Sequence, residues 1–298
     1  MSKTNALVYY PEKIPEYKKQ ISIYRTIPFR TASFKNVKAK RYITNRMTRY
    51  SKLFDFTEKP EDIGDRFVYS RTGHDLEIFK TSDSLRYTNV ELKYPLKLPD
   101  KVSLPTKDEA YEITNDALKK YELSVEHAKI SSFTYTELAK ETNTDGKMQI
   151  QKIEANVEFN FELDDLPVWG PGAKIKTSLV ENSVAGILYF WRKPVYENVI
   201  PVIHPLSALE RFTTDRSFKY LDKETAEINI HSASLGYYSL SPSAFQRFLI
   251  PVYAIKYTVN SKFMDPYHST QFVVAVDISL DEIKEMGVVD NPYQCLIF

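Results

Sequence analysis

The chain has 298 residues, of which 43% are hydrophobic and 27% are charged, and its formal net charge at pH 7 is +1. This balance is typical of a folded globular protein and excludes a disordered chain. Glycine accounts for only 8 residues, and the sequence contains neither a G-x-G-x-x-G nor a Walker A motif. Dinucleotide-binding and P-loop enzymes are therefore disfavoured, and we expect no cofactor.

Cysteine content and apolar runs bear on the cellular compartment. The single cysteine, Cys295, excludes an intrachain disulfide and a cysteine-based zinc site. The apolar run near the N-terminus is shorter than the core of a secretory signal, and no apolar stretch is long enough to cross a bilayer. We expect a cytoplasmic protein, with the reservation that a removed leader would leave no trace.

The first predicted helix, from about residue 32 to residue 54, is strongly basic. It lies in a segment, residues 1–52, that has a net charge of +11, so the remaining residues carry −10. Such a helix suits the phosphates of nucleic acid or an anionic lipid surface. No nucleic-acid motif accompanies it, so we do not expect a nucleic-acid partner and favour packing against acidic surface of the same molecule. Its cations are Lys35, Lys38, Lys40, Arg41, Arg46, Arg49 and Lys52.

Two further helices are predicted, each followed by strands. The second helix starts at Thr106, where Glu109 completes a capping box, and runs to about residue 123. The third starts at His204 and Pro205, because proline suits a first helical turn. Strict alternation predicts a half-buried antiparallel strand over residues 153–163. Further strands are predicted over residues 66–79, 84–92, 174–180, 186–192, 226–238, 249–259 and 271–278.

The order of these elements predicts an α+β fold of three repeated units, each a helix followed by an antiparallel meander that curls around it. We place a basic N-terminal module at residues 1–98 and a second module at 99–200. A C-terminal module at 201–298 is expected to pack on the second.

The middle module carries a resemblance to a known family. Its helix opens with the residues of 104–110, LPTKDEA, and its strand of 157–163 leads into the turn LPVWGPGAKI of 166–175, followed by VAGI at 184–187. This stretch resembles PepSY-type modules, which include thermolysin-type propeptide domains and YycI-like regulators of bacterial sensor kinases. The resemblance implies a helix packed on a small antiparallel sheet and a non-catalytic inhibitory or regulatory role. No peptidase motif follows the module, in contrast to the propeptides.

Catalytic signals are sparse. The five histidines show no metal-binding spacing, and no G-x-S-x-G motif is present. Candidates for an acid or a base are Glu158 and Glu162, which point to the same side of one strand, and His204. The alternative interpretation of the two glutamates is a solvated sheet face or a partner for the basic N-terminal segment.

Aromatic residues with a polar group are the best candidates for a ligand-binding surface, because they suit concave sites and interfaces. The alternative is that they close the cores of the modules. These candidates, together with one arginine, are Trp169, Trp191, Arg192, Tyr237 and Tyr238.

The last four residues, Cys295 to Phe298, match the prenylation box C-a-a-X. Membrane attachment would need both a lipidated Cys295 and the basic helix, and we favour an unmodified tail. Our leading hypothesis is a non-enzymatic binding or regulatory protein that engages a peptide or an apolar small molecule on its sheet surface. The alternatives are an enzyme acting on an apolar small molecule in an aromatic-lined cavity and a lipidated peripheral membrane protein.

Overall fold

The computed structural model describes residues 7–14, 16–26, 37–96, 102–141, 148–214, 226–262, 264–277 and 296–297. This part of the chain contains four helices: α1 (Val37–Leu53), α2 (Val90–Lys93), α3 (Lys107–Lys120) and α4 (Pro205–Thr213). None of them is long and apolar enough to cross a membrane.

Strands dominate the same ranges. In chain order they are β1 (Leu7–Tyr9), β2 (Gln20–Arg25), β3 (Glu61–Asp62), β4 (Arg66–Arg71), β5 (His74–Phe79), β6 (Leu85–Asn89), β7 (Ala128–Glu141), β8 (Met148–Leu163), β9 (Leu166–Trp169), β10 (Lys174–Val180), β11 (Ser183–Phe190), β12 (Val195–Pro201), β13 (Ala226–Tyr238), β14 (Ile250–Ser261), β15 (Met264–Val274) and β16 (Leu296–Ile297).

Fourteen of the strands form one mixed, mainly antiparallel sheet that branches at β8. β8 pairs with β7 along one edge, while its other edge pairs with β10 over residues 155–159 and with β9 over residues 161–163. One branch continues from β10 through β11, β6, β5 and β4 to β3, and the other continues from β9 through β13, β14 and β15 to β16. β1 adds to β13 in parallel. β8 is therefore the strand that holds both branches together.

The predicted fold of three helix-plus-meander modules is wrong, because the protein is dominated by one large sheet. Strands from all three predicted segments pair with one another in it: β11 pairs with β6, and β9 pairs with β13. The alternation of apolar residues predicts which segments are strands, but it contains no information about their partners. What remains is the coarser statement that helices accompany an antiparallel sheet. The module boundaries at residues 98 and 200 stay predictions.

The connection between β9 and β10 shows why this branching needs glycine. The main-chain N–H of Gly172 donates to the carbonyl of Ser239, 3.1 Å away, just after β13. A Cβ atom at Gly172 would overlap with the carbonyl oxygen of Leu240, and Gly170 has a φ of +98°. Glycine at both positions lets the turn lie directly against the chain that follows β13.

The two remaining strands form a separate antiparallel ribbon, in which β12 pairs with β2. The ribbon is attached to the rest of the protein through β2, whose Arg25 bridges to Phe248. The Thr26 N–H also donates to the carbonyl of Arg247 at 2.8 Å. Within the described residues, β12 has no strand on its other side.

Candidate functional site

The outer face of the ribbon is an exposed aromatic and apolar surface. Tyr196 pairs with Tyr24 across the two strands, and Val199 pairs with Ser22. The Tyr24 and Tyr196 rings meet edge to face, with centroids 6.3 Å apart. Tyr196 is 58% exposed and Val199 is 51% exposed, so both side chains of this face are open to solvent. We call Tyr24, Tyr196, Val199 and the open edge of β12 the ribbon site.

A β-bulge creates this face. The pairing register shifts between Tyr196 and Asn198, so Glu197 is an extra residue in β12. In a regular strand, Tyr196 and Val199 would lie on opposite faces, because successive side chains alternate. The bulge changes that alternation once and brings both residues to the face of Tyr24. Glu197 itself forms an ion pair with Arg25, with 3.2 Å between the charged atoms.

The main-chain hydrogen bonds show which groups of β12 face its open edge. The Val202 N–H donates to the carbonyl of Lys19 at 3.0 Å, so these two residues form a hydrogen-bonded pair. Antiparallel pairs alternate, so Val199 opposite Ser22 belongs to a pair without mutual hydrogen bonds. The Tyr237 hydroxyl donates to the carbonyl of Ser22 at 3.0 Å, which confirms that this carbonyl points away from β12.

The same alternation applies to Tyr196. Its partner Tyr24 uses its carbonyl to accept from the Leu249 N–H at 2.9 Å, on the side of β2 away from β12. The N–H and C=O groups of Tyr196 and Val199 are therefore directed outward, where they can pair with another extended chain.

The surroundings of Tyr24 change the pKa of its hydroxyl. Burial, together with a hydrogen bond to Asp164, raises the pKa of Tyr24 to about 12. Asp164 and Asp165 form the turn between β8 and β9, both with positive φ, and both are exposed. The ribbon site is therefore bordered by the carboxylate of Asp164 and contains a tyrosine that stays neutral at physiological pH.

Of the predicted ligand residues, Tyr237 lies under the ribbon site and is fully buried. Its ring packs edge to face on Tyr24, with centroids 5.6 Å apart. Burial raises the pKa of its hydroxyl, which is held by the carbonyl of Ser22. Tyr237 therefore supports Tyr24 from below.

Arg192 is fully buried and binds main-chain carbonyls. Its guanidinium donates to Thr81 at 2.9 Å, to Ser241 at 2.7 Å and to Ala244 at 2.8 Å. Burial lowers the pKa of Arg192 to about 10. Arg192 thus fixes the segment after β13 to the turn before β6. In the chain, Arg192 lies three residues before the ribbon strand β12.

The other predicted aromatic residues pack inside the protein. Trp191 is buried and stacks on Phe161, with centroids 3.6 Å apart and nearly parallel rings. Trp169 is half-buried and Tyr238 is buried, and both contact Phe272 in a small second core. The structure thus distributes the five predicted ligand residues over several places, and only Tyr237 contacts the ribbon site.

The predicted acid and base candidates have structural partners. Glu158 lies 3.3 Å from Lys174 and 3.6 Å from Lys176, and Glu162 pairs with Lys129. His204 is exposed and caps α4, where its Nδ1 accepts from the Leu206 N–H at 3.2 Å. Within the described ranges, no group of three or more His, Cys, Asp or Glu side chains is placed to hold a metal ion. Cys295 lies outside the described residues.

Tyr24, Tyr196 and Asp164 were not among the predicted site residues. The short strand of 195–201 contains no clear alternation, because the bulge at Glu197 interrupts it. A useful signal was present in Val195, Tyr196 and Val199, apolar residues interspersed with Glu197 and Asn198 before a proline.

Comparisons with known proteins add little. No protein-family model and no curated protein matches the chain. Among solved structures, an uncharacterized protein from Eubacterium rectale ATCC 33656 is 13% identical, with a TM-score of 0.37, and the match covers 92% of this chain and 90% of that one. YycH from Bacillus subtilis is 10% identical, with a TM-score of 0.37. That match covers 80% of this chain and half of YycH. We draw no conclusion from likenesses at these TM-scores.

Proposed function

We propose that this is a non-enzymatic binding protein that takes up an extended peptide as an additional strand along the open edge of β12. The observation that carries the proposal is the pair of outward-directed main-chain groups at Tyr196 and Val199, next to an exposed apolar face. Edge pairing of this kind supplies affinity through main-chain hydrogen bonds and specificity through alternate side chains.

The surroundings of the edge favour a peptide that alternates apolar and basic residues. Tyr196 and Val199 offer apolar contact to every second side chain of an added strand. Asp164 offers a carboxylate, and the rings of Tyr24 and Tyr196 suit a lysine or arginine side chain through cation–π attraction. An acidic peptide would be repelled by the same aspartate.

β7 offers a second edge without a strand partner among the described residues, but its composition fits an added strand less well. β12 has seven residues, and three of them, Val195, Tyr196 and Val199, are exposed large hydrophobic residues. β7 has fourteen residues, and only Ile130 and Leu138 belong to this class. Polar edge residues discourage pairing with another chain, so we assign the peptide to β12.

The regulatory role that the resemblance to PepSY-type modules implies belongs to this proposal. A protein that captures an extended segment of a partner can inhibit or redirect that partner without catalysis, and the ribbon site requires no cofactor for it.

The test uses a blocked nonapeptide that alternates valine and lysine, titrated into the full chain by isothermal calorimetry. We expect saturable binding, and the same peptide N-methylated at alternate amides should bind at least about tenfold more weakly, because it loses edge hydrogen bonds. Equal binding of both peptides, or no binding of the unmethylated one, would contradict the proposal.

A variant of the protein tests the same edge hydrogen bonds by changing β12 instead of the peptide. Val199→Pro removes one outward N–H, and the strand already tolerates Pro201 two residues later. We expect Val199→Pro to lose about tenfold in affinity with little loss of stability, whereas Val199→Thr, which keeps the N–H and the β-branched shape, should bind as the natural chain does.

A further inference from the structure

A second candidate site is a cleft of about 550 Å³ whose lining includes Trp191 and Lys193, the two neighbours of Arg192 in the chain. The cleft is enclosed by α1, by the turn between β5 and β6, by the segment between α3 and β7, and by the end of β11. Its volume is within the range of small-molecule sites. The lining residues that the argument uses are Arg46, Arg49, Tyr50, Asp83, Glu122 and Glu126, with Trp191 and Lys193.

Two of the arginines that line the cleft are already bound within the protein. Arg46 is buried, lies 3.4 Å from the carboxylate of Asp83, and donates to the carbonyl of Phe79 at 3.1 Å. Arg49 forms an ion pair with Glu122 at 2.6 Å. Within each pair the two charges neutralise each other. The pairs fix α1 against the sheet and against the end of α3.

Three other groups remain available to a ligand. Tyr50 is only 7% exposed, and its hydroxyl has no hydrogen-bond partner within the described part of the chain. Burial raises the pKa of Tyr50, so this hydroxyl is a neutral donor. Lys193 is exposed and forms no ion pair with any described residue. Glu126 is exposed, and one of its carboxylate oxygens lies 3.6 Å from Nε2 of His127.

The sign of the charges limits the class of ligand. Three cations, Arg46, Arg49 and Lys193, and three carboxylates, Asp83, Glu122 and Glu126, line the same cleft, so these six charges cancel. After the two internal pairs are formed, one cation and one carboxylate are left. A ligand with one charge of each sign can pair with both of these groups, whereas an anion or a cation can pair with only one of them.

We propose that the cleft binds a small zwitterion of the amino-acid or dipeptide class. In this arrangement the ligand carboxylate accepts hydrogen bonds from Tyr50 and Lys193, its ammonium group faces Glu126, and its side chain lies toward Trp191. The cleft is separate from the ribbon site, so the two proposals are tested independently of each other.

The probes are L-phenylalanine and the dipeptide alanyl-phenylalanine, titrated by calorimetry into the full chain. Each is compared with its amide, which has lost the negative charge, and with its N-acetyl derivative, which has lost the positive charge. We expect saturable binding of at least one zwitterion and at least about tenfold weaker binding of both its derivatives.

Two variants locate the binding. Tyr50→Phe removes only the hydroxyl, and Lys193→Met removes only the charge, and each should weaken zwitterion binding at least about fivefold. Lys256→Met, on an exposed position of β14, is the control and should bind as the natural chain does. If Tyr50→Phe fails to fold, as judged by circular dichroism, Lys193→Met carries the test alone.

Three results would overturn the proposal. They are no binding of either zwitterion, equal binding of a zwitterion and its two derivatives, and binding that Lys193→Met leaves unchanged.

Discussion

Single residues decide whether the two branches of the sheet can meet. Gly172 lies where the β9–β10 turn contacts the chain after β13, and a Cβ atom there would overlap with the Leu240 carbonyl oxygen. We expect Gly172→Ala to destabilise the protein by about 1–3 kcal/mol, because backbone on both sides must move. Urea unfolding followed by circular dichroism measures the loss.

Gly186→Ala is the matched control for this substitution. A Cβ atom at Gly186 would meet its nearest neighbours, the Lys93 ammonium and the Tyr87 carbonyl, at 3.4 Å and 3.5 Å, which are ordinary contact distances. The control should change the free energy of unfolding by less than about 1 kcal/mol. If the two variants were equally stable, the close approach at Gly172 would not be a constraint of the fold.

The residue type alone does not show which of the candidate residues can reach a ligand. Tyr237 and Tyr24 have the same side chain, yet Tyr237 is fully buried under β2 and Tyr24 is half-exposed on the ribbon. The difference arises because β2 covers Tyr237. The contact between them joins residues more than 200 positions apart in the sequence. The sequence predicts that such tyrosines matter, but it does not predict which of them reaches solvent.

The ribbon strand β12 offers the sharpest test at the level of an element. Deleting Glu197 removes the bulge and places Tyr196 two positions from Val199 in a regular strand, so both side chains should stay on the face of Tyr24. We expect the deletion to change the affinity for the alternating valine–lysine peptide by less than about threefold, since the apolar face and the outward main-chain groups are both kept. Calorimetry with the same peptide provides the measurement.

The deletion also removes the ion pair between Glu197 and Arg25, so a second variant is needed. Glu197→Ala keeps the bulge and loses only the ion pair, which is exposed and contributes at most about 1 kcal/mol. Peptide binding should survive in Glu197→Ala. If the deletion abolished binding that Glu197→Ala kept, recognition would depend on the bulge itself and not on the face shared by Tyr196 and Val199.

Elements defined by local chemistry could be predicted from the sequence. The capping box of Thr106 and Glu109 is confirmed at the start of α3, and Pro205 begins α4 as expected. The alternation over 153–163 is confirmed as part of β8. The predicted strand of 66–79 is instead two strands, because Gly73 turns the chain between β4 and β5 with a φ of +75°. A single glycine in a strand-like run was an overlooked signal.

The arrangement of the whole molecule could not be predicted in the same way. The strand pairs that shape the sheet, β11 with β6 and β13 with β9, join segments far apart in the chain. Alternation of apolar residues specifies which face of a strand is buried, but not which strand pairs with it. Three separate meanders were therefore as compatible with the sequence as one branched sheet. The charge asymmetry was informative in part, since Arg46 and Arg49 of the basic helix do pair with Asp83 and Glu122.

Buried tyrosines give the whole protein a characteristic response to alkali. Burial raises the pKa of Tyr24, Tyr87 and Tyr253 to about 12, from 10 in the unfolded chain. The folded state therefore holds protons that the unfolded state releases. Their contribution to stability is complete below pH 10 and is lost as the pH rises from 10 to 12.

We expect the urea midpoint to stay constant from pH 8 to pH 9.5 and then to fall steadily with rising pH. Absorbance at 295 nm should show that a fraction of the tyrosines ionises only when the protein unfolds. A midpoint that did not change up to pH 11.5 would contradict the assigned burial.

The central claim is that the outer edge of β12 accepts an added strand, and amide hydrogen exchange tests it most directly. In the free protein, the outward amides of Tyr196 and Val199 should exchange fast, while the amide of Ile200, which faces β2, should be protected. Saturation with the alternating valine–lysine peptide should slow exchange at Tyr196 and Val199 and leave Ile200 unchanged. If the peptide bound while both outward amides kept their fast exchange, the edge would not be the binding site.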